Sequence, residues 1–365
     1  MSSRQGGAAA KSPKFDRQGD FRRTLRGKVS EYFEEKGLGE RDQRAMYWKS
    51  AAMLSWFAIS YLVLVFAPVP VVVRVLAAIS LGLAGAGIGF SVMHDAGHGA
   101  YSSRPWLNKV FFFSLDFLGG SSYLWNVKHN VIHHSYANVD GHDDDIDMGW
   151  LGRLAPEQKR LPIHRFQHFY IWFLYGFLVL KWHLYDDFRV LIQGEIGPKR
   201  VPKMKRKDLG VFVLGKVLFV TYAFVIPSFF FGLGWILLFY LLATFVQGVT
   251  MSLVFQLAHC VEEADFPVPD ESNQFGHDWA THQVMTTVDF APKSKVISWY
   301  VGGLNFQIEH HLFPRISHIH YPAIAEIVRE TCEEYGLPYR VQPSLWGGVR
   351  SHFRWVRQMG QLQTG

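Results

Sequence analysis

Residues 71–98 run VVVRVLAAISLGLAGAGIGFSVMHDAGH, an apolar block that ends abruptly in two histidines four positions apart. From about Val71 to Met93 the block is too long for a buried strand and too poor in charge for an ordinary amphipathic helix. It reads as a helix long enough to cross a bilayer. Upstream, a block from about Ser50 to Phe66 is separated from it by Ala67-Pro68-Val69-Pro70, which predicts a helical hairpin with a short turn. The pattern recurs from about Leu209 to Phe231 and from about Trp235 to Ala258, with Gly232-Leu233-Gly234 as the expected turn. The expectation is an all-α integral membrane protein with four transmembrane helices in two hairpins and a helical cap.

Composition sets the bounds. The chain has 365 residues, of which 49% are hydrophobic and 16% aromatic, and the concentration of the apolar ones into blocks favours a membrane protein over one large soluble domain. The segment from Met1 to about Gln43 is polar and basic without an apolar run, unlike a secretory signal. Residues 1–20 are expected to be a flexible basic tail. Cys260 and Cys332 are too few for a disulfide framework or a thiolate metal site, so a metal would need other ligands. The net charge of +6 comes from residues flanking the apolar blocks, a pattern that suits anionic headgroups and argues against nucleic acid.

Two shorter blocks, Val110 to Trp125 and Phe166 to Trp182, are ambiguous. If either one alone spanned the bilayer, the histidine clusters before and after it would lie on opposite faces, so both read as interfacial or re-entrant helices. With four spans, both termini, the region from about His94 to Asp208 and the region from about His259 onward share one side. That side holds nearly all the Lys and Arg, including the run from Lys199 to Lys207, which makes it the cytoplasm.

Seven of the 17 histidines fall into three groups on that side: His94-x-x-x-His98, His129-x-x-x-His133-His134 and Gln307-x-x-His310-His311. In a helix, positions three or four apart share a face, so each group offers several nitrogen ligands in one direction. Seven imidazoles and a glutamine carbonyl are too many for one tetrahedral ion, and a metal pair fits better. Ligand type alone leaves copper, nickel, zinc and iron open. A lone histidine is as readily a polar core residue, but three clusters at helical spacing are not accidental. His259 ends the fourth apolar block as His94 ends the second, and is read as a further ligand. His142, beside Asp143, Asp144 and Asp145, belongs either to partners that orient imidazoles or to a solvated acidic loop. A helix would turn Glu309 away from the ligand face. His164, His168, His183, His277, His282, His318, His320 and His352 show no such convergence and read as structural.

The motifs Met93-His94-Asp95-Ala96-Gly97-His98, Lys128-His129-Asn130-Val131-Ile132-His133-His134 and Asn305-Phe306-Gln307-Ile308-Glu309-His310-His311 resemble those of the membrane fatty acid desaturase family. Gln307 at the head of the third box is similar to the front-end branch, and the likeness runs from near Phe21 to the C-terminus, strongest toward cyanobacterial-type acyl-lipid delta-6 enzymes. The resemblance implies one desaturase domain over residues 21–365 and ligand roles for His94, His98, His129, His133, His134, Gln307, His310, His311 and His259. It implies two iron ions, O2 as co-substrate, and a cis double bond inserted at delta-6 or delta-5 of a polyunsaturated chain carried by a membrane lipid or acyl-CoA. The His-Pro-Gly-Gly motif of fused b-type cytochrome domains does not occur, so an external donor, ferredoxin or a separate b-type cytochrome, is expected. A bacterial inner membrane is the expected location. Trp125, Asn126 and Lys128 stand where they would line the mouth of a substrate tunnel or hold a headgroup, although Trp125 is equally an interfacial anchor. A fatty acyl hydroxylase or conjugase on the same scaffold and a non-enzymatic receptor or haem-binding electron carrier are the competing readings.

Overall fold

A computed structural model describes residues 12–16, 19–197 and 199–361. Four of its helices are long and apolar enough to cross a membrane: Arg44–Val65, Val71–His98, Arg206–Ser228 and Leu233–His259. The expected hairpins are present with shifted edges. The first helix begins at Arg44, six positions before Ser50, because Tyr47 and Trp48 continue it on its polar end. The second runs past Met93 through a π-helical turn, Ile88–Met93, to His98. The second hairpin turns over residues 229–232 and not at Gly232-Leu233-Gly234. Gly232 is the extended N-cap, and Leu233 and Gly234 already belong to the next helix.

The first hairpin's turn is closed by a charge. Arg74, one turn into the second helix, points its guanidinium back to the carbonyls of Leu64 and Ala67. The Leu64 carbonyl sits in the last turn of its helix, where intrahelical donors run out, and the Ala67 carbonyl lies in the turn and also accepts the Val69 N–H, so the arginine caps the helix end while itself being paired.

The hairpins pack through small residues. A Cβ on Gly82 would sit 2.4 Å from the Ala243 carbonyl, and one on Gly248 would sit 2.6 Å from that of Gly176. Leu233–His259 therefore approaches both Val71–Gly87 and the segment around Gly176 nearly backbone to backbone. Large apolar side chains face outward, among them Ile59, Leu62, Val72, Leu76, Val213, Val217 and Leu238. So wide an apolar belt is costly in water and suited to lipid.

Neither ambiguous block forms a fifth span. The first breaks between Pro105–Phe117 and Ser122–Trp125, where Gly119 takes φ +95°. The second breaks between Gln167–Tyr175 and Leu178–Lys181.

The cap lies at the histidine end of the long helices. Phe21, Leu25, Val29 and Phe33 recur every fourth residue along Asp20–Lys36 and bury against Ile324 and Val328 of Tyr321–Glu334. Leu345–Gln361 packs on Gln167–Tyr175. Four two-residue strands among the described residues are the sole departure from the all-α expectation, one pair joining Asp289–Phe290 to Val341–Gln342 in parallel. Part of the segment expected to be a flexible tail lies within the described residues. Residues 12–16 are docked, with Phe15 stacked on Phe275 and Tyr136, while residues 1–11, 17 and 18 lie outside the described residues.

Candidate metal centre

The packing of the two hairpins brings the ends of Val71–His98 and Leu233–His259 to one level, so His94, His98 and His259 arrive on span ends. The second histidine group follows a different geometry from the α-helix its spacing suggests. Residues Asn126–His133 form a π-helix, whose i→i+5 hydrogen bonds let positions four and five apart flank one face. His129, His133 and His134 thus point together, with His129 Nε2 3.2 Å from His134 Nε2. The third group is a single short helix, Gln307–Leu312, buried throughout its first five residues.

These elements converge on one cage. Ligand atoms of His94, His98, His129 and His310 lie within 4.8 Å of one another, and so do those of His133, His259 and His311. His134, His310 and His311 form a third such set that joins the two. Gln307 reaches the second set, its amide nitrogen 3.0 Å from His259 Nε2; exchanging amide N and O would present a carbonyl at the same point.

The arrangement fits metal and is costly without it. His94 Nε2 stands 3.2 Å from His129 Nε2, close to the roughly 3 Å between adjacent ligands of an ion that binds imidazole at about 2.1 Å. Nε2 of His98, His310 and His311 are buried with no hydrogen-bond partner, which a bound cation would supply. Burial, then the neighbouring imidazoles, push the pKa values of His129, His134, His310 and His311 well below the ordinary value. These rings are held neutral, with lone pairs available. His133 differs: burial lowers its pKa, but Asp143 and Asp145 outweigh burial and raise it.

Several ligand candidates have their other ring nitrogen fixed. His133 Nδ1–H donates to Asp143 Oδ2 at 3.0 Å, His259 Nδ1–H to the Thr286 carbonyl at 3.2 Å, and His311 Nδ1–H to Gln283 Oε1 at 2.8 Å. The Tyr321 hydroxyl lies 3.3 Å from His310 Nδ1. The three oxygen acceptors set the tautomer that turns Nε2 of His133, His259 and His311 inward as a lone pair. Of these partners only the acidic group near His142 carried a signal in the sequence, through its position ten residues from His133. His142 itself stays outside the cage, its ring beside Tyr136.

Two further networks were invisible to sequence reasoning. His318, set aside as structural, donates from Nδ1 to Asp95 Oδ1 at 2.9 Å and meets buried Lys49 at 2.8 Å, so it braces the residue between His94 and Ala96. Glu309 is turned from the cage, as expected, into a buried pair with Asp289, and the Tyr339 hydroxyl lies 3.0 and 2.9 Å from the two carboxyls.

A narrow inner cavity adjoins the cage, lined by Trp125, Lys128, Trp182, Phe255, Leu304 and the histidines 94, 129, 133 and 259. Trp125 stacks on His129 with ring centroids 4.4 Å apart. Lys128 is paired at 3.0 Å with both Asp144 and Asp145. Asn126, grouped with them in the sequence, is exposed and bonds to Asn130 instead of lining the cavity.

Comparison with known proteins follows the same lines. A family model described as fatty acid desaturase matches residues 69–343. Over 350 residues the chain is 39% identical to the sn-1 linoleoyl-lipid 6-desaturase of Synechocystis sp., spanning 95% of this chain and 98% of that one. It is 37% identical to the enzyme of the same name from Arthrospira platensis, over 93% of this chain and 92% of that one. With the acyl-lipid (8-3)-desaturase of Physcomitrium patens it shares 38% identity over 93% of this chain and 72% of the other.

Proposed function

Because the chain belongs to the fatty acid desaturase family, we propose that it is a front-end enzyme that inserts a cis double bond, at delta-6 or delta-5, into a polyunsaturated acyl chain. The observation that carries this reading is the cage of eight imidazoles and Gln307 beside a cavity walled by Trp125, Trp182, Phe255 and Leu304. The names of the Synechocystis and Arthrospira relatives favour a linoleoyl chain on a lipid and the delta-6 position.

His94, His98, His129, His133, His134, His259, His310, His311 and Gln307 would hold two iron ions. The iron pair, when bound, supplies activation of O2 for removing hydrogen from unactivated methylenes, which ordinary acids and bases cannot do. The chain's own side chains do the rest. Trp125 and Trp182 close the inner cavity around an acyl chain, exclude water and fix which carbons face the imidazoles. Asp143, Thr286 and Gln283 hold protons on the outer nitrogens of their histidines, keeping the inner nitrogens unprotonated. Lys128, tied to Asp144 and Asp145 beside the cavity, offers a cation to a polar carrier group once those carboxylates yield.

The apolar outer belt supports insertion of the four long helices into a bilayer, with the cap and its basic run Lys199–Lys207 in the cytoplasm. A bacterial inner membrane agrees with that topology. Residues 21–365 act as one desaturase domain, and electrons come one at a time from a ferredoxin or a separate b-type cytochrome.

The test is fatty acid analysis by gas chromatography and mass spectrometry of a host that expresses the chain and is supplied with linoleic acid. A new delta-6 or delta-5 double bond is expected, absent when His310→Ala replaces the wild type. A hydroxylated product, or an unchanged product in the His310→Ala host, refutes the reading.

A further inference from the structure

The imidazole cage is approached from two sides. The inner cavity meets it at His94, His129, His133 and His259, whereas an open crater meets it at His98 and His134. The two share no lining residue. They differ in chemistry as well. Beyond its histidines the inner cavity sets Trp125, Ile146, Trp182, Phe255 and Leu304 beside the paired Lys128 and Asp145, whereas the crater's wall adds Ser102, Ser103, Asn108 and Asn130 and basic groups without an ion pair among the described residues.

The crater's charges are of one sign. Arg41, Lys109 and Arg315 line it, and an adjoining depression adds Arg22 and Arg26. Glu40 is the one carboxylate among the residues lining either. Nearby Asp42 is turned onto Ser102 and the backbone of Ser103, and Asp278 caps its own helix through the Thr281 N–H.

Trp279 lies where the two depressions meet. Its indole N–H donates to the His134 carbonyl at 2.9 Å, and the Arg22 guanidinium sits 4.7 Å above its ring. A partly exposed aromatic ring is thus one hydrogen bond from a residue of the cage.

We propose that this crater is the docking surface for a small acidic one-electron carrier protein, and that Trp279, through its hydrogen bond to His134, gives the carrier an aromatic path to the metals. The proposal rests on the desaturase reading. Each encounter moves one electron from the reduced carrier to the centre, and the carrier leaves oxidised. Two encounters supply two electrons; with the two hydrogen atoms lost by the acyl chain, which carry two electrons and two protons, and two protons from solvent, they take O2 to two waters as one C=C bond forms. A carrier seated in the crater leaves the inner cavity free for the acyl chain, so substrate and reductant need not compete. Facing positive and negative patches raise the encounter rate and make it sensitive to salt.

The experiment measures binding of two probes, an acidic plant-type [2Fe–2S] ferredoxin and a soluble b-type cytochrome, to the iron-loaded full chain in neutral detergent. Lys109→Glu/Arg315→Glu, with Arg26→Glu as an independent variant, should weaken at least one carrier tenfold or more and flatten its salt dependence. Lys203→Glu/Lys207→Glu, in the other basic run, should leave binding unchanged. Trp279→Phe should keep the affinity while slowing carrier oxidation in stopped flow. Failure of both carriers to bind the wild type overturns the proposal, as does equal weakening by the Lys203/Lys207 variant. Unchanged carrier binding with lost binding to phosphatidylglycerol vesicles makes the crater a headgroup site and overturns it too. Dithionite separates the two readings, since a crater variant reduced anaerobically, freed of excess dithionite and then given O2 should desaturate linoleoyl lipid in one turnover like the wild type. If the reduced wild type makes no product, the desaturase reading fails whatever the carriers do.

Discussion

Replacing Asp143 with asparagine removes one charge and one acceptor while keeping the shape of the side chain. Asp143 accepts three N–H groups: His133 Nδ1–H and the Asn138 backbone on Oδ2, and the Asp145 backbone on Oδ1, each at 3.0 Å. An asparagine has one oxygen for these donors. With the oxygen toward His133, its NH2 faces the Asp145 N–H and the turn Asp144–Ile146 loses its cap, at a cost of about 0.5–2 kcal/mol. With the amide reversed, NH2 faces His133 Nδ1–H and forces the ring into the other tautomer, which turns a proton toward the cage. Either way the carboxylate that raises the His133 pKa is gone. Changes to groups that orient metal-binding histidines weaken metal retention about 10- to 100-fold, equivalent to about 1.4–2.8 kcal/mol. Iron retained against a graded chelator series, measured beside turnover, reads this directly. An Asp143→Asn protein that holds iron and turns over like the wild type would refute the assignment of His133 as a ligand oriented by Asp143.

Acidification should unfold the chelated protein early. His129, His134, His310 and His311 have depressed pKa values in the fold, so their contribution is present above the unfolded value near 6.5 and lost as pH falls, each costing about 1.4 kcal/mol per pH unit over that interval. A thermal midpoint that stays flat from about pH 7 to about pH 5 would contradict their burial as neutral rings. Glu309→Gln should retain most activity, because burial and then Asp289 raise the Glu309 pKa far enough to keep the acid neutral, and glutamine reproduces a neutral group. A tenfold or greater loss of turnover would show that a charged Glu309 is needed. Gly302→Ala should cost about 1–3 kcal/mol or more, since Gly302 has φ +64° and an added Cβ would meet the Phe90 carbonyl at 2.2 Å. Wild-type thermal stability of that variant would show that the loop before Gln307 moves freely.

The spans and the three histidine groups were legible because each is written in contiguous residues. A block such as Val71 to Met93 announces its length and hydropathy, and His94 and His98 announce their shared face. The π-turns were not legible. Nothing in Ile88–Met93 or Asn126–His133 distinguishes i→i+5 from i→i+4 bonding, which depends on how the surrounding helices press on the turn. Long-range partners were equally hidden: Asp95 and His318 are 223 positions apart, and Gln283 precedes His311 by 28. Trp125, Asn126 and Lys128 looked alike in the sequence as neighbours. Helical spacing splits them, sending Trp125 and Lys128, three positions apart, to the cavity and Asn126 to solvent.

The cage draws its imidazoles from His94 at one extreme to His311 at the other, with His259 between, and a polypeptide is made from its amino end. The first hairpin and five of the histidines therefore exist well before the second hairpin and the last two rings are synthesised. Because Gln307–Leu312 supplies the last two rings and Gln307, the cage is complete only when both hairpins and the cap have come together, which ties metal binding to folding of the whole chain.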